Sequence, residues 1–320
     1  MSRLSELRRN FGQSPWLDDL VDSGRLRALV LEGVRGVTTN PTIFRNVLAG
    51  GVADEDFVIA RLRAAADVLH PVYADTAGED GFVSAELAPD LAFDVAGSIV
   101  AAHRLRAAVD RPNLMIKVPA TVQALPVIEQ LVADGVPVNA TLLFSVERYR
   151  EVATAYLRGE RRGQARVASV ASFFVSRIDT RVDGLLERMG SVAALSLRGR
   201  AAVACAKLAY QAFKELFGAD ARPQRLLWAS TGTKNPAYPD LLYVESLIGP
   251  RTVNTMPRAT LEAFRDHGRL ASTLESDVGG ARDHLEALAA MGIDMGAVAA
   301  ELEREGLAKF AADHEATIRT

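Results

Sequence analysis

The sequence predicts a single (β/α)8 barrel over residues 1–320, with additional helices at the C-terminal end. Eight short apolar segments alternate with helical patterns along the chain, which is typical of parallel strands joined by crossover helices. Polar side chains follow almost every apolar segment, where barrels of this kind carry their active sites. No second core and no long linker rich in Pro, Gly or Ser interrupts this pattern, so we expect one domain.

The eight predicted strands are short segments that end in Gly, Pro or polar residues. In chain order they cover residues 16–20, 36–42, 82–87, 114–118, 136–144, 167–175, 225–230 and 251–256. Helical patterns separate them, and the pattern over residues 54–69 is expected to end at His70-Pro71. Asp90 is predicted to cap the helix after the third strand, and the helices from Ser276 onward are expected to lie outside the barrel.

Lys117 interrupts the fourth predicted strand near its C-terminal end. The rest of the segment from Leu114 to Val118 is apolar and lies between Pro112 and Pro119, which favours a strand buried on both faces. Of the 37 lysines and arginines in the chain only five are lysines, so a solvated cation would more often be an arginine. Lysine, unlike arginine, can lose its proton and form a Schiff base. On this strand alone, a lysine that extends to the surface stays an equal alternative.

Composition and charge exclude several classes of protein. The net charge is −3 and the isoelectric point is near 6.0, which gives no general attraction to nucleic acid or to an anionic membrane. The longest apolar runs are far shorter than the roughly 20 residues that span a bilayer, and we expect no secretory signal at the N-terminus. The lone Cys205 excludes an intramolecular disulfide, which is consistent with the expected cytoplasmic location.

Polar side chains mark the end of almost every predicted strand. Because the parallel strands of a barrel all end on one face, these side chains are predicted to converge. Any one of them can equally begin a turn or cap the next helix, but eight strand ends together favour a site. They are Asp18 with Asp19 adjacent, Thr38, Thr39 and Asn40, Glu86, Lys117, Asn139 with Thr141, Ser172 with Arg177 beyond it, Ser230 with Lys234 beyond it, and Asn254 with Thr255.

This set of residues fits Schiff-base chemistry. A lysine must be neutral to attack a carbonyl, and burial favours the neutral amine. Asp18 and Glu86 lie on different strands and can serve different proton transfers, while Arg177 and Lys234 can bind a phosphate. No G-x-G-x-x-G or P-loop motif follows a strand, and the five histidines have no metal-ligand spacing. We therefore expect neither a cofactor nor a metal.

Five segments of the chain resemble transaldolase and occur in the order that this family shows. The resemblance covers nearly the whole chain and is greatest with the branch that carries a W-A-S-T-G-x-K segment, familiar from actinobacteria and plants. The segments are GVTTNPT at 36–42, LMIKVPAT at 114–121, VNATLLFS at 138–145, ASVASFFVSR at 168–177 and WASTGTK at 228–234.

The resemblance implies a circularly permuted class I aldolase barrel with its Schiff-base lysine on the fourth strand. It implies that a dihydroxyacetone unit passes from sedoheptulose 7-phosphate or fructose 6-phosphate to an aldose phosphate, either glyceraldehyde 3-phosphate or erythrose 4-phosphate. This reaction belongs to the pentose phosphate pathway and uses no cofactor or metal. Small sugar phosphates are then the partners, and the chain is expected to be a monomer or a homodimer.

The matched positions imply catalytic roles in this chain one by one. Lys117 corresponds to the nucleophile, and Asp18 to the acid/base for cleavage and formation of the C–C bond. Glu86, together with Thr141, corresponds to the groups that handle the water and protons of imine formation and release.

Other matched positions are implied to bind the substrate. Asn40 and Asn139 are expected to hold the dihydroxyacetone hydroxyls and the carbinolamine or enamine, and Ser172 to contact the same unit. Arg177 is expected to bind the phosphate with help from Ser230.

Phe174 and Gly232 stand at positions where members of the family differ. The related fructose-6-phosphate aldolases carry a tyrosine in place of Phe174, and a phenylalanine, which cannot relay a proton, favours transfer over lysis. Many members carry a second phosphate-binding arginine in place of Gly232, so we assign that role to Lys234. Two alternatives are a fructose-6-phosphate aldolase-type lyase and a sugar-phosphate-binding barrel without catalytic activity.

Overall fold

The strands close into a barrel in the order in which they occur in the sequence. The computed structural model describes residues 2–43, 55–220 and 222–318, and within these ranges eight parallel strands each pair with the next, the eighth closing on the first. This confirms the predicted (β/α)8, or TIM, barrel. The strands are β1 Gln13–Asp18, β2 Val37–Thr38, β3 Val83–Glu86, β4 Leu114–Pro119, β5 Val138–Leu143, β6 Ser169–Phe174, β7 Gln224–Ala229 and β8 Thr252–Met256.

Helices follow the strands and pack around the barrel. In the described ranges they are α1 Arg3–Phe11, α2 Ser23–Glu32, α3 Glu55–Asp75, α4 Val95–Val109, α5 Leu125–Ala133, α6 Val146–Arg162, α7 Ser176–Met189, α8 Val192–Leu195, α9 Ala201–Phe217, α10 Leu242–Ser246, α11 Arg258–His267, α12 Val278–Ala290 and α13 Met295–Ile318. A short 3-10 helix, Pro89–Phe93, lies between β3 and α4. None of the helices described is both long and apolar enough to cross a membrane.

The register of the barrel brings the ends of neighbouring strands side by side. Asp18 on β1 is level with Thr38 on β2. Glu86, Lys117 and Asn139 are level with one another on β3, β4 and β5. Residues that are level on paired strands point to the same face of a sheet, so this register places an acid and an amide on either side of the lysine.

A buried ion pair closes the opposite, N-terminal end of the barrel. The Asp80 side chain is fully buried and accepts hydrogen bonds from Ser14 Oγ at 2.7 Å, Trp16 Nε1 at 3.2 Å and the Arg225 guanidinium at 3.0 Å. A buried carboxylate is stable only when it is paired and hydrogen-bonded in this way. Because this hydrogen-bonded network fills the N-terminal end of the barrel, a cavity in the barrel interior can open only at the C-terminal ends of the strands.

The predicted end of the helix over 54–69 is wrong. The helix continues through Pro71 to Asp75. Pro71 removes one backbone hydrogen bond from the helix. Leu69 and Val72 are buried on either side of it, and the packing of these side chains offsets that loss.

The predicted helix cap after β3 is also wrong, because Asp94 rather than Asp90 caps α4. The Asp94 Oδ1 accepts a hydrogen bond from the backbone N–H of Gly97 at 2.9 Å. Asp90 lies instead in the 3-10 helix that begins at Pro89. Proline is favoured in the first turn of a helix, so the chain makes this short turn before α4 starts.

The last helix, α13, crosses the C-terminal mouth of the barrel, so the expectation that all the C-terminal helices lie outside is wrong. Phe310 on α13 is buried and lines the central cavity. Gly306, one turn earlier, allows this close approach, because a Cβ atom there would lie 2.9 Å from Leu142 Cδ2 of β5. By contrast, α12 packs against α9 on the outside of the barrel.

Candidate active site

A cavity of about 440 Å³ opens at the C-terminal ends of the strands. Eight side chains with a predicted catalytic or substrate-binding role line it, and they come from five different strands or the segments that follow them. These eight are Asp18, Asn40, Lys117, Ser172, Phe174, Arg177, Ser230 and Lys234. The other predicted side chains, Glu86, Asn139 and Thr141, are not part of the cavity wall but lie on strands next to Lys117.

Lys117 extends from β4 into the cavity. Its side chain is 4% exposed, and Nζ donates hydrogen bonds to the Thr39 carbonyl and to Glu86 Oε2, each at 3.2 Å. The ring centroid of Phe310 lies 5.6 Å from the same nitrogen. A lysine buried to this degree does not extend to the surface, so that alternative is excluded. Its charge is balanced by an acid that can also exchange protons with it.

Glu86 and Asp18 are acids whose pKa values are raised. Burial raises the pKa of Glu86, and the neighbouring Lys117 ammonium opposes that shift. Burial also raises the pKa of Asp18, against the effects of Lys117 and of a hydrogen bond from Thr38 Oγ1 at 2.9 Å. An acid whose pKa lies closer to neutrality can both take up and release a proton at physiological pH. The two carboxyl groups can therefore act as separate acid/base groups near the lysine.

Asn139, Ser172 and Thr141 form a polar layer beside the lysine. The Asn139 amide donates to Ser84 Oγ at 2.9 Å, and its carbonyl oxygen accepts from Ser172 Oγ at 2.7 Å, which holds the amide in one orientation. Thr141 follows Asn139 by two residues and points to the same face of β5. Its buried hydroxyl has no hydrogen-bond partner among the described residues, so it can bind a water molecule or a substrate group.

Positive charge and hydroxyl groups gather at one side of the cavity. Arg177 lies in the first turn of α7, which begins without a side-chain cap, and burial lowers the pKa of its guanidinium. Its Cζ lies 5.2 Å from the ring centroid of Phe174. Ser230 Oγ lies 2.8 Å from Ser176 Oγ, and Lys234 also lines the cavity. A helix N-terminus without a cap, next to two cations, suits an anion such as a phosphate.

The segment after β2 carries Asn40 and Thr42 to the cavity, with Thr42 in a helical turn that begins at Pro41. Asn40 Oδ1 accepts a hydrogen bond from the backbone N–H of Ile43 at 3.0 Å, which fixes the side-chain amide at the rim. The Thr42 hydroxyl donates to the buried carboxylate of Asp313 on α13. This contact ties the segment to the helix that crosses the mouth.

The cavity wall also includes Thr38 and Thr255, which are predicted strand-end residues without an assigned role. The residues that the sequence does not indicate as part of the site are Thr42, Ile43, Ala229, Pro257 and Phe310. Thr38 Oγ1 donates to Asp18 and lies 2.7 Å from Thr255 Oγ1, so two hydroxyls orient that carboxylate. Both threonines stand at strand ends, but their residue type is equally typical of a helix cap. No local signal indicates Phe310, because its helix follows the eighth strand and is expected on the outside.

These groups suit a carbonyl compound that carries a phosphate. Lys117 can attack the carbonyl, and the two acids can move the protons of that step and of a following bond cleavage. The amide and hydroxyl groups can hold the substrate in one orientation, which lowers the entropic part of the activation free energy.

The sequence of the chain matches known proteins over most of its length. The model of the Transaldolase/Fructose-6-phosphate aldolase family matches residues 16–320. Transaldolase 1 of Streptomyces coelicolor is 46% identical over 340 residues, which cover 94% of this chain and 89% of that protein. The transaldolase of Thiobacillus denitrificans is 46% identical over 345 residues and 96% of each chain. A solved enolase of the mandelate racemase subgroup from Agrobacterium tumefaciens covers 81% of this chain and 58% of its own, with 12% identity and a TM-score of 0.36, too low to support an argument.

Proposed function

The chain belongs to the transaldolase/fructose-6-phosphate aldolase family and functions as a transaldolase, and we propose that its Schiff base forms on Lys117. The observation that carries this proposal is the contact of Lys117 Nζ with Glu86 Oε2 at 3.2 Å, next to a cavity of about 440 Å³. A buried lysine beside an acid can give up its proton locally and attack a ketone. The ketose phosphate is then held as an iminium, and a dihydroxyacetone unit is transferred.

Glu86 moves the protons of imine formation and release. When the neutral amine adds to the ketone, a carbinolamine forms, and loss of its hydroxyl as water requires an acid. The raised pKa of Glu86 favours the protonated form that supplies this proton. Thr141 holds the water that leaves and later returns, and its hydroxyl, which has no partner among the described residues, supports this role.

Asp18 moves the proton of the C–C bond cleavage. It takes the proton from the donor hydroxyl next to the breaking bond, while the iminium accepts the electron pair and becomes a neutral enamine. An aldose phosphate leaves, and Asp18 returns the proton when the enamine carbon attacks the aldehyde of the acceptor. The hydrogen bond from Thr38 at 2.9 Å supports this role, because it orients the carboxylate without neutralising it.

Asn40, Asn139 and Ser172 bind the hydroxyl groups of the transferred unit. The hydrogen bond of 2.7 Å between Ser172 and Asn139 supports this assignment, because it holds both groups before the substrate arrives. The loop contact of Asn40 does the same at the rim of the cavity.

Arg177, Ser230 and Lys234 bind the phosphate of the donor and of the acceptor. Arg177 forms no ion pair with any of the described residues, so its charge is available to a ligand. Lys234 supplies the second cation for the phosphate, because this chain has Gly232 where many family members carry an arginine.

Phe174 favours transfer over the lyase alternative. Its ring lies at the end of β6 against Arg177 and carries no hydroxyl that could pass a proton to the enamine. The non-catalytic alternative has no support, because Lys117, Asp18 and Glu86 are all present and lie at one end of the barrel.

Borohydride trapping tests the proposal. The protein is incubated with fructose 6-phosphate, reduced and digested, and the modified peptide is located by mass. We expect an adduct of the size of dihydroxyacetone on Lys117. An adduct on Lys234 would move the Schiff base to another strand, and a folded protein without any adduct would support a binding function instead.

We further propose the cellular setting of this reaction. Small sugar phosphates are the partners, the reaction belongs to the pentose phosphate pathway, and the protein is cytoplasmic. A cavity lined by a guanidinium, an ammonium and several hydroxyls supports a phosphorylated sugar as the ligand. A single domain over the chain is supported by one hydrophobic core that includes both the barrel strands and α13. We propose a monomer or a homodimer, which size-exclusion chromatography with light scattering distinguishes.

A further inference from the structure

The last helix of the chain brings an apolar side chain into the active site. Phe310 on α13 is 3% exposed, and its ring centroid lies 5.6 Å from Lys117 Nζ. The ring lines the same cavity as Asp18 and Arg177. A phenyl ring has no group that donates or accepts a conventional hydrogen bond. Phe310 therefore covers the amine on the side of the mouth without offering it a proton.

Contacts on both sides of the mouth hold this helix in place. On one side the Thr42 hydroxyl, in the segment after β2, donates to the Asp313 carboxylate. On the other side Arg181 of α7 pairs with Glu305. Residue 310 lies between these two anchors along α13, so the position of the Phe310 ring is fixed by the barrel itself.

We propose that Phe310 acts together with Phe174 to favour transfer of the dihydroxyacetone unit over its release, by keeping water from the mouth away from the enamine on Lys117. This inference rests on the proposed function. In transfer, the enamine carbon bonds to the aldehyde carbon of the acceptor, the aldehyde oxygen takes the proton held by Asp18, and the nitrogen becomes an iminium. In release, the enamine carbon takes a proton from water, the hydroxide that remains adds to the iminium carbon, and the C–N bond breaks as the nitrogen takes the proton of the new hydroxyl group. Free dihydroxyacetone then leaves and the lysine amine is restored.

Release from the enamine needs a proton donor at the reactive carbon, and water from the mouth can be that donor, whereas transfer needs no donor there. Lys117 Nζ donates hydrogen bonds to Glu86 and to the Thr39 carbonyl, and the ring of Phe310 is an apolar neighbour of the same nitrogen. The Thr141 hydroxyl has no partner among the described residues and does not line the cavity, so a water that hydrolyses the product imine can bind there without passing the ring of Phe310. A smaller side chain at position 310 would open a path for water from the mouth.

The test compares variants of Phe310 with a control on the same helix. Phe310→Ala removes the ring, Phe310→Leu keeps an apolar side chain, and Leu302→Ala removes an equally buried side chain that does not line the cavity. Each protein receives fructose 6-phosphate, first alone and then with erythrose 4-phosphate, and the rate of dihydroxyacetone release is divided by the rate of transfer. We expect this ratio to rise about tenfold in Phe310→Ala and to stay within about threefold of the parent in the other two variants.

Two results would overturn the inference. One is an unchanged ratio in folded Phe310→Ala, and the other is an equal rise in Leu302→Ala, which would make loosening of α13 the cause. If Phe310→Ala does not fold, Phe310→Val is measured with the same expected direction, and an unchanged ratio there has the same meaning. Borohydride trapping separates the two proposals: an adduct on Lys117 with an unchanged ratio removes only the role of Phe310, whereas no adduct removes the proposed function.

Discussion

Asp18 and Asp19 are adjacent acids, and exchanging each for asparagine in turn tests whether Asp18 is the catalytic base that we propose. Asp18→Asn keeps the size of the side chain and can still accept the hydrogen bond from Thr38, but it cannot take up a proton. Asp19 instead accepts from the backbone N–H of Leu20 at 2.8 Å and pairs with Arg258 at 2.6 Å. We expect a large loss of turnover in the first variant and a small one in the second.

The expected loss of kcat in each variant follows from the contacts of the acid that is replaced. General acid–base catalysis contributes about 10²- to 10⁴-fold, so Asp18→Asn should lower kcat by that factor, or about 3 to 5 kcal/mol of transition-state stabilisation. The Arg258 side chain that pairs with Asp19 is 47% exposed. Exposed ion pairs contribute at most about 1 kcal/mol, which limits the loss in Asp19→Asn to about fivefold.

Borohydride trapping identifies the step that fails. Nζ of Lys117 contacts Glu86 and the Thr39 carbonyl, and not Asp18, so the imine should still form in Asp18→Asn. Fructose 6-phosphate should then be trapped intact, and the adduct on Lys117 should have the mass of the whole donor instead of dihydroxyacetone. Loss of all trapping in Asp18→Asn, or equal losses of kcat in the two variants, would refute this reasoning.

Three further predictions concern the nucleophile, the phosphate site and the closed end of the barrel. Lys117→Arg should abolish turnover while circular dichroism shows an intact fold, because guanidinium cannot form an imine; measurable turnover would contradict the assignment. Arg177→Ala should raise KM for phosphorylated donors far more than for analogues without the phosphate, and an equal rise for both would make Arg177 structural. Asp80→Ala should lower the free energy of unfolding by about 3 to 5 kcal/mol in denaturant titrations, because it leaves the buried Arg225 charge without its partner. Glu215→Ala, which breaks an exposed pair, is the control and should cost less than about 1 kcal/mol.

The strand ends were the most predictable part of the site. Parallel strands of a barrel all end on one face, so the residue types at those ends, such as Lys117 on β4 and Ser172 on β6, predict a shared cavity before any contact is known. The helix boundaries were less predictable. A proline usually ends or kinks a helix. At Pro71, however, the burial of Leu69 and Val72 outweighs the missing backbone hydrogen bond, and the helix continues.

The choice between adjacent polar residues also needed the structure. Asp18 and Asp19 have the same chemistry and neighbouring positions, but Asp18 is the last residue of β1 and turns toward Thr38 and the cavity, whereas Asp19 follows the strand and pairs with Arg258. Likewise Thr38 and Thr255 become part of the site only because the barrel closes and brings their hydroxyls to 2.7 Å from each other.

By itself the sequence determined the barrel, the strand that carries Lys117 and the residue types at the strand ends, because these follow from local patterns of apolar and polar residues. Only the tertiary structure decided which groups touch. The contact of Glu86 with Lys117 depends on the register of β3 against β4. The place of Phe310 depends on a helix that crosses the mouth and bonds through Asp313 to a threonine 271 residues earlier in the chain. Local patterns carry no information on such distant contacts, because packing of the whole chain selects them.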